Sequence, residues 1–308
     1  MLANQSKSVD AQYMNSPSPH TALLFNVQLC SACIGHIAPG NIAIMNYVYE
    51  VQGATALSTP NASGPWSAQH QHGAAPTSLI CWAVERIPTL VPMQVARITV
   101  DLLRPVPVAP LEIKTQIVRE GKKIQLCAVQ LLADNVEVVR ASVLKIRATP
   151  LALPESIKDE PVVLPNPEAS RVPKNGPGGI NAFTTGVQMR IAKGGFRIPG
   201  PAAVWFRAEQ PIIAGDTISP LMRAAIASDY CNGTSSPLDF EKWTFINGDL
   251  NINLARMPIG EWILLDAESY IGPSGAGVAF ARLGDVQGYF GRAVQSLVIE
   301  PRMSKAGE

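Results

Sequence analysis

The chain has 308 residues, of which 47% are hydrophobic and 16% charged, and its formal net charge at pH 7 is +1. This composition allows two domains with well-filled cores and excludes a chain that is disordered throughout. The near-neutral charge, without a basic stripe, gives no electrostatic footprint for nucleic acid, and five cysteines, an odd number, do not suggest a secreted disulfide framework.

The first 40 residues are interpreted as an N-terminal extension whose role stays open. Residues 1–20 are polar and rich in Ser, Asn and Pro, which is typical of a disordered tail. The apolar residues 21–35 are too few for a membrane helix, and no basic run precedes them. We therefore expect neither stable membrane insertion nor a secretory signal, although a weak membrane association stays open. Cys30 and Cys33 have metal-ligand spacing, but no second pair follows, so free thiols are favoured and no metal is expected.

The first half of the chain predicts one strand, one buried helix and an antiparallel meander. Residues 41–51 are β-rich, and residues 71–86 open with small residues and continue apolar until Pro88 stops the helix. Pro76 fits the first turn of this helix. Alternating apolar residues predict four further strands, at 95–103, 111–118, 124–132 and 136–146. Such a unit wraps a sheet around its helix.

The second half predicts a similar unit. Seven prolines between residues 149 and 180 indicate a surface linker. Residues 204–210 are expected to open the second unit as a strand. Residues 220–229 predict a helix that ends at a left-handed cap formed by Asn232 and Gly233. The predicted meander strands are 244–254, 261–270, 277–283 and 288–299.

The two meanders are related by a shift of 152 positions. This shift places Arg104 on Arg256, Leu131 on Leu283 and Arg140 on Arg292. A repeat this long exceeds the roughly 20–50 residues of a solenoid unit, so the pattern indicates a duplicated domain.

The same shift exposes a difference between the halves. It places Asn247 on Val95 and Gln295 on Val143, so two apolar positions of the first half are amides in the second. Buried amides are costly unless they are hydrogen-bonded, although they could simply satisfy loop backbone groups. Asp229 lies in the last turn of the second predicted helix, where burial and the helix dipole both disfavour a carboxylate. The alternative is that Asp229 is an ordinary surface residue at the end of this helix. Together these three residues predict a site.

Six short segments carry a family resemblance. They are 64–66 (GPW), 71–73 (QHG), 104–107 (RPVP), 227–230 (ASDY), 247–250 (NGDL) and 292–295 (RAVQ). With them, residues 42–302 resemble the acyl-CoA thioesterase II (TesB-like) family. The resemblance implies an α+β fold, a double hotdog of two antiparallel β-sheets, each wrapped around a long central helix. The expected organisation is an extension (1–40), a first hotdog (41–149), a linker (150–181), a second hotdog (182–303) and a tail (304–308).

The resemblance also implies the catalytic residues, all from the second hotdog: Asp229, Asn247 and Gln295. Asn247 stands where better-known bacterial members have Thr, and an amide can donate a hydrogen bond but offers no hydroxyl. His72 and Gly73, at the start of the first helix, are expected to bind the substrate and its oxyanion, with His72 in a positioning role. Many relatives carry a second glycine where this chain has Ala74.

The implied activity is hydrolysis of fatty acyl-CoA by an activated water, without cofactors, in a cytoplasmic homo-oligomer with one working site per chain. Two alternatives remain. A hotdog enoyl-CoA hydratase would use an Asp–His pair, and it is disfavoured because no His is found near the second helix. A non-catalytic protein that binds acyl thioesters stays open. A thiol-release assay over several acyl-CoAs separates these possibilities.

Overall fold

The computed structural model of the chain describes residues 46–158, 160–174 and 181–302. The predictions for residues 1–40, including Cys30 and Cys33, and for the beginning of the strand at 41–51 lie outside these residues.

The first half contains six strands and one main helix. The helix α1 (Ala74–Glu85) is almost completely buried, with Pro76 in its first turn. The four predicted meander strands are all present, with bounds that differ from the predicted ones by two residues or fewer. The strands are β1 (Tyr49–Gln52), β2 (Thr55–Ser58), β3 (Met93–Leu102), β4 (Pro110–Arg119), β5 (Ile124–Ala133) and β6 (Val136–Arg147).

The second half departs from the prediction at its beginning. It opens with α2 (Ala182–Thr185) and β7 (Val187–Lys193), which the prolines and glycines around them concealed in the sequence. The strand predicted at 204–210 is therefore the second strand of this half, after β7. The remaining elements are β8 (Ala202–Ala208), α3 (Pro220–Asp229), α4 (Cys231–Ser235), β9 (Trp243–Asn247), β10 (Asp249–Leu254), β11 (Ile263–Ile271), β12 (Ala276–Asp285) and β13 (Gly288–Pro301).

The predicted left-handed cap at Asn232 and Gly233 is wrong, because both residues lie within α4. Neither has a positive φ. Asn232 instead makes tertiary hydrogen bonds. Its side-chain amide donates to the Phe245 carbonyl at 2.9 Å, and its backbone N–H donates to Gln295 Oε1 at 3.1 Å. These bonds hold the chain in a second helical turn after Tyr230.

The 152-residue shift relates the strands of the two meanders. It places β5 on β12 without any adjustment, and β4 and β6 on β11 and β13 with differences only at the ends. The strands of the two halves join into one antiparallel sheet through the pairing of β3 with β10, where Asp101 lies opposite Asp249. The α+β class is confirmed, but the two expected sheets are continuous and the two main helices have only 12 and 10 residues.

The helices α1 and α3 pack against each other in antiparallel orientation. Glu85, at the end of α1, lies beside Ser219, the N-cap of α3. At the other end, Asp229 of α3 meets Gly73 at the start of α1. This arrangement brings the last turn of the second helix to the first turn of the first helix, so both halves contribute to that end of the core.

The proline-rich linker packs on the outer face of the second half. Its Val162 and Leu164 contact a small apolar cluster that includes Trp205 and Leu264. The Trp205 indole N–H donates to the Pro165 carbonyl at 2.9 Å. These contacts explain why the linker follows a defined path despite its lack of apolar periodicity. Within the described part of the chain, no helix has the length and apolar character required to span a membrane.

Candidate active site

Asp229 lies at the meeting point of the two helices. Ser219 caps the start of α3, accepting a bond from the Met222 N–H at 3.1 Å, and Asp229 is the last residue of the helix, with only 5% of its surface exposed. A methyl group on Gly73 would lie 2.7 Å from Asp229 Oδ1. Glycine is therefore required at position 73, because a side chain would displace the carboxylate.

The first polar partner of Asp229 is Asn247, at the end of β9. Its Nδ2 donates to Asp229 Oδ1 at 3.1 Å. The same amide nitrogen lies 3.4 Å from the Asp249 carbonyl, across the break that separates β9 from β10. The side-chain amide of Asn247 thus holds one oxygen of the Asp229 carboxylate, although it has no hydroxyl.

The second partner is His72, and its position corrects the expectation that no His lies near the second helix. His72 Nδ1 is 2.9 Å from Asp229 Oδ2. The expectation was wrong because His72 reaches Asp229 across the interface of the two halves. The Ala74 N–H lies 3.2 Å from the same Nδ1, but it can donate there only when Nδ1 carries no proton, so the two contacts are alternatives. We assign a proton to Nδ1, because a charge-assisted bond to a carboxylate is stronger than a bond between neutral groups.

Aromatic rings hold the imidazole in place. His72 stacks on Phe183, with ring centroids 5.0 Å apart, and lies at 4.7 Å from Tyr230. Burial raises the pKa of Tyr230, and its hydroxyl lies 3.4 Å from Thr184 Oγ1. Tyr230 therefore stays protonated at neutral pH and serves as packing for His72, rather than as a base.

Gln295 is not in contact with the Asp229 carboxylate. Its Nε2 donates to the backbone carbonyl of Asp229 at 3.1 Å, and its Oε1 accepts from the Asn232 N–H. The side chain is fully buried and does not line the adjoining cavity. Both ends of the amide therefore fix the backbone at the junction of α3 and α4.

A cavity of about 410 Å³ opens beside these residues. Its size lies in the range of small-molecule sites. His72, Gly73, Asp229 and Asn247 form its polar end. The Gly73 N–H has no hydrogen-bond partner within the described residues. Much of the remaining wall is apolar and includes Trp66, Phe240, Phe245, Ile246, Leu102, Leu103, Val106 and Val298.

Sequence reasoning missed the aromatic wall of this cavity. Trp66 stacks on Phe240, with centroids 4.9 Å apart, and meets Phe245 edge-on. Arg302 lies over both Trp66 and Phe240. Trp66 belongs to the GPW segment, but Phe240 follows α4 in an irregular stretch without periodicity. No local pattern could therefore have placed the two rings together.

The order of strands, the two antiparallel helices and the site between them define a double hotdog fold. Solved structures with this arrangement align over most of the chain. A candidate thioesterase II from Thermobifida fusca aligns with a TM-score of 0.65 and 12% identity, over 83% of this chain and 96% of that one. A hotdog protein from Alicyclobacillus acidocaldarius gives 0.64 and 14%, over 83% and 96%. The acyl-CoA thioesterase II TesB2 from Mycobacterium marinum gives 0.55 and 17%, over 76% and 89%.

Two sequence profiles give the family. The acyl-CoA thioesterase N-terminal domain matches residues 62–146, and the acyl-CoA thioesterase C-terminal domain matches residues 158–299. The chain therefore belongs to the acyl-CoA thioesterase family. Among curated proteins, none matches this sequence significantly.

Proposed function

We propose that this protein hydrolyses the thioester of fatty acyl-CoA with a water activated at Asp229. The observation that carries the proposal is the geometry around that carboxylate. Asn247 and His72 each hold one of its oxygens, and Gly73, whose N–H has no partner among the described residues, lines the same cavity. A carboxylate has about four acceptor positions, so these two contacts leave room for a water.

In the proposed reaction, the water oxygen attacks the thioester carbonyl while its proton passes to Asp229. The carbonyl oxygen becomes an oxyanion, which the Gly73 N–H and the positive end of α1 stabilise. The C–S bond then breaks as the oxyanion collapses, and the leaving thiolate takes the proton held by Asp229, which restores the carboxylate. The products are a carboxylic acid and free CoA thiol, and no covalent enzyme intermediate is needed.

The roles of the predicted residues differ in this scheme. Asp229 is the base, and Asn247 orients it. Gly73 supplies the oxyanion donor, and His72 holds Oδ2 through its Nδ1 proton. Gln295, because it bonds only to the backbone, is a positioning residue. At the mirrored helix end, Glu85 is exposed, and Val95 and Val143 offer no amides, so one working site per chain remains part of the proposal.

The test is release of free thiol from acyl-CoAs of different chain lengths by the purified protein. Asp229→Asn keeps the side-chain shape and removes the base, so the rate is expected to fall about 10²–10⁴-fold. Asp134→Asn makes the same chemical change in an exposed turn and is expected to leave the rate unchanged. If the protein releases no thiol from any acyl-CoA, hydrolysis is refuted and the remaining hypothesis is a protein that binds thioesters without turnover. If Asp229→Asn releases thiol as fast as wild type, Asp229 is not the base.

Hydration of an enoyl thioester is the second candidate, because the contact between His72 and Asp229 supplies the Asp–His pair that the sequence seemed to lack. In that reaction water would add across a carbon–carbon double bond, and the thioester would stay intact. An enoyl-CoA substrate separates the two activities. Hydration removes the absorbance of the conjugated double bond without releasing thiol, whereas hydrolysis releases thiol. A cytoplasmic homo-oligomer completes the proposal, and light scattering with the purified protein tests the oligomeric state.

A further inference from the structure

Arg104 and Arg256 occupy the same position in the two halves but have different surroundings. The Arg256 guanidinium binds Asp285 through two bonds, with NH1 at 2.5 Å from Oδ2 and NH2 at 3.0 Å from Oδ1. The backbone frame is the same in both halves, since the Leu103 N–H donates to Val138 and the Ala255 N–H donates to Phe290, one repeat apart. The two arginines therefore begin from equivalent backbone positions.

The carboxylate partner is missing in the first half. The 152-residue shift places Asp285, the last residue of β12, on Ala133, the last residue of β5. Among the described residues, the Arg104 side chain has neither an ion pair nor a hydrogen bond, and it is exposed. The arginine at this repeated position therefore binds a carboxylate in the second half, as Arg256, and has no such partner in the first half, as Arg104.

Arg104 lines the cavity that contains Asp229. Arg104 is exposed, whereas Asp229 is buried, so the arginine is the more solvent-accessible of the two. They are the only Asp, Glu, Lys or Arg side chains in the described lining. The Leu102 N–H donates to the Gly248 carbonyl, next to Asn247. Arg104 follows two residues later, in the bend directly after β3.

We propose that Arg104 binds an oxyanion of the substrate, specifically a phosphate on the thiol-bearing arm of the thioester. This inference rests on the proposed function, because it takes the thioester carbonyl to lie at Asp229. The apolar and aromatic walls suit the acyl chain, so the charged part of the substrate faces the opening. A guanidinium is suited to this role, since it can form two parallel bonds to a phosphate.

The experiment compares thiol release from one acyl group carried on CoA and on pantetheine, which has no phosphates. The wild-type protein is expected to prefer the CoA thioester in kcat/KM. Arg104→Ala is expected to reduce that preference about 10-fold and to leave the rate with the pantetheine thioester unchanged. Arg119→Ala, an exposed arginine of β4 outside the cavity, is the matched control and should keep the wild-type preference.

A second variant gives Arg104 the kind of carboxylate partner that Arg256 has in Asp285. Ala133→Asp is expected to draw Arg104 into an ion pair like that of Arg256 and to lower the CoA preference while the arginine is retained. An unchanged preference in Arg104→Ala overturns the proposal. So does an effect confined to acyl chains that end in a carboxylate, since the oxyanion would then belong to the acyl group. Absence of thiol release from either thioester by wild type refutes the proposed function itself.

Discussion

Asn247 makes a hydrogen bond that a hydroxyl could also make. Its amide donates to Asp229 Oδ1 at 3.1 Å. The resemblance to the thioesterase family placed Asn247, Asp229 and His72 in one site. It did not predict the contact of His72 Nδ1 with Asp229 Oδ2, because the geometry of that contact depends on how two helices distant in sequence pack together.

Gly73→Ala tests the close approach of α1 to the carboxylate. The added methyl would lie 2.7 Å from Asp229 Oδ1, so either the helix or the carboxylate must move. We expect kcat/KM for acyl-CoA hydrolysis to fall about 100-fold, since a shift of about 1 Å at a catalytic group has effects of that size. Thiol release measures the rate, and circular dichroism checks the fold. An unchanged rate would contradict the contact.

Gln295→Met tests positioning through the backbone. The change keeps the side-chain volume but leaves the Asp229 carbonyl and the Asn232 N–H without partners, each at a cost of about 1–3 kcal/mol. We therefore expect a lower free energy of unfolding together with lower activity. Asn247→Ala, at the edge of the cavity, should lower activity with a smaller loss of stability. Urea denaturation and thiol release distinguish the two variants, and equal stability losses would refute the distinction.

At the scale of elements, alternation predicted strands such as β5 and β13 well, because they have one buried and one more exposed face. The single strand predicted at 244–254 is divided at Gly248 into β9 and β10. It failed for β7, which is short, flanked by glycines and prolines, and covered on one side by the linker. The end of α3 was misjudged for a different reason. The turn residues Asn232 and Gly233 favour a left-handed cap, but the tertiary bonds of Asn232 override that local preference.

The pair of Arg256 and Asp285 joins the loop after β10 to the end of β12. Burial alone would raise the pKa of Asp285, but bonds from Arg256 and from the N–H groups of Ile259 and Gln287 together lower it. The pair's contribution to stability is therefore complete above the pKa of an unfolded Asp, near 4, and is lost as the pH falls through the lower folded pKa.

Asp285→Asn should lower the free energy of unfolding by about 3 kcal/mol at pH 7, because it leaves Arg256 without its charged partner. The difference between wild type and variant should shrink as the pH falls below about 4. Urea titrations across this range measure both effects. A difference that stayed constant with pH would mean that the charge of Asp285 does not contribute.

At the scale of the whole molecule, the duplication could be predicted from the sequence, whereas the pairing of strands between the two halves could not. The 152-residue shift relates strands within each meander, but nothing in the pattern of β3 or β10 indicates that these strands pair with each other. Their pairing is set by the shapes of two folded halves. The first half also bonds the second at β1, where the Tyr49 N–H donates to the Ile212 carbonyl at 2.8 Å.

The two halves should therefore function only together. Residues 46–174 and 181–302, produced as separate chains, are each expected to release no thiol, because one lacks Asp229 and the other lacks Gly73. Mixed under refolding conditions, they should regain activity if the pairing of β3 with β10 can form between chains. Thiol release before and after mixing provides the measurement, and activity in either fragment alone would show that the site is not shared.

The placement of Gly73 and Asp229 in opposite halves also bears on synthesis at the ribosome. The proposed oxyanion donor is translated first, and the proposed base follows about 156 residues later, which at roughly 5–20 residues per second is a delay of about 8–30 s. Gln295, which holds the backbone of Asp229, comes 66 residues later still. Under the proposed function, a nascent chain would carry no hydrolytic activity until its last strand, β13, has emerged.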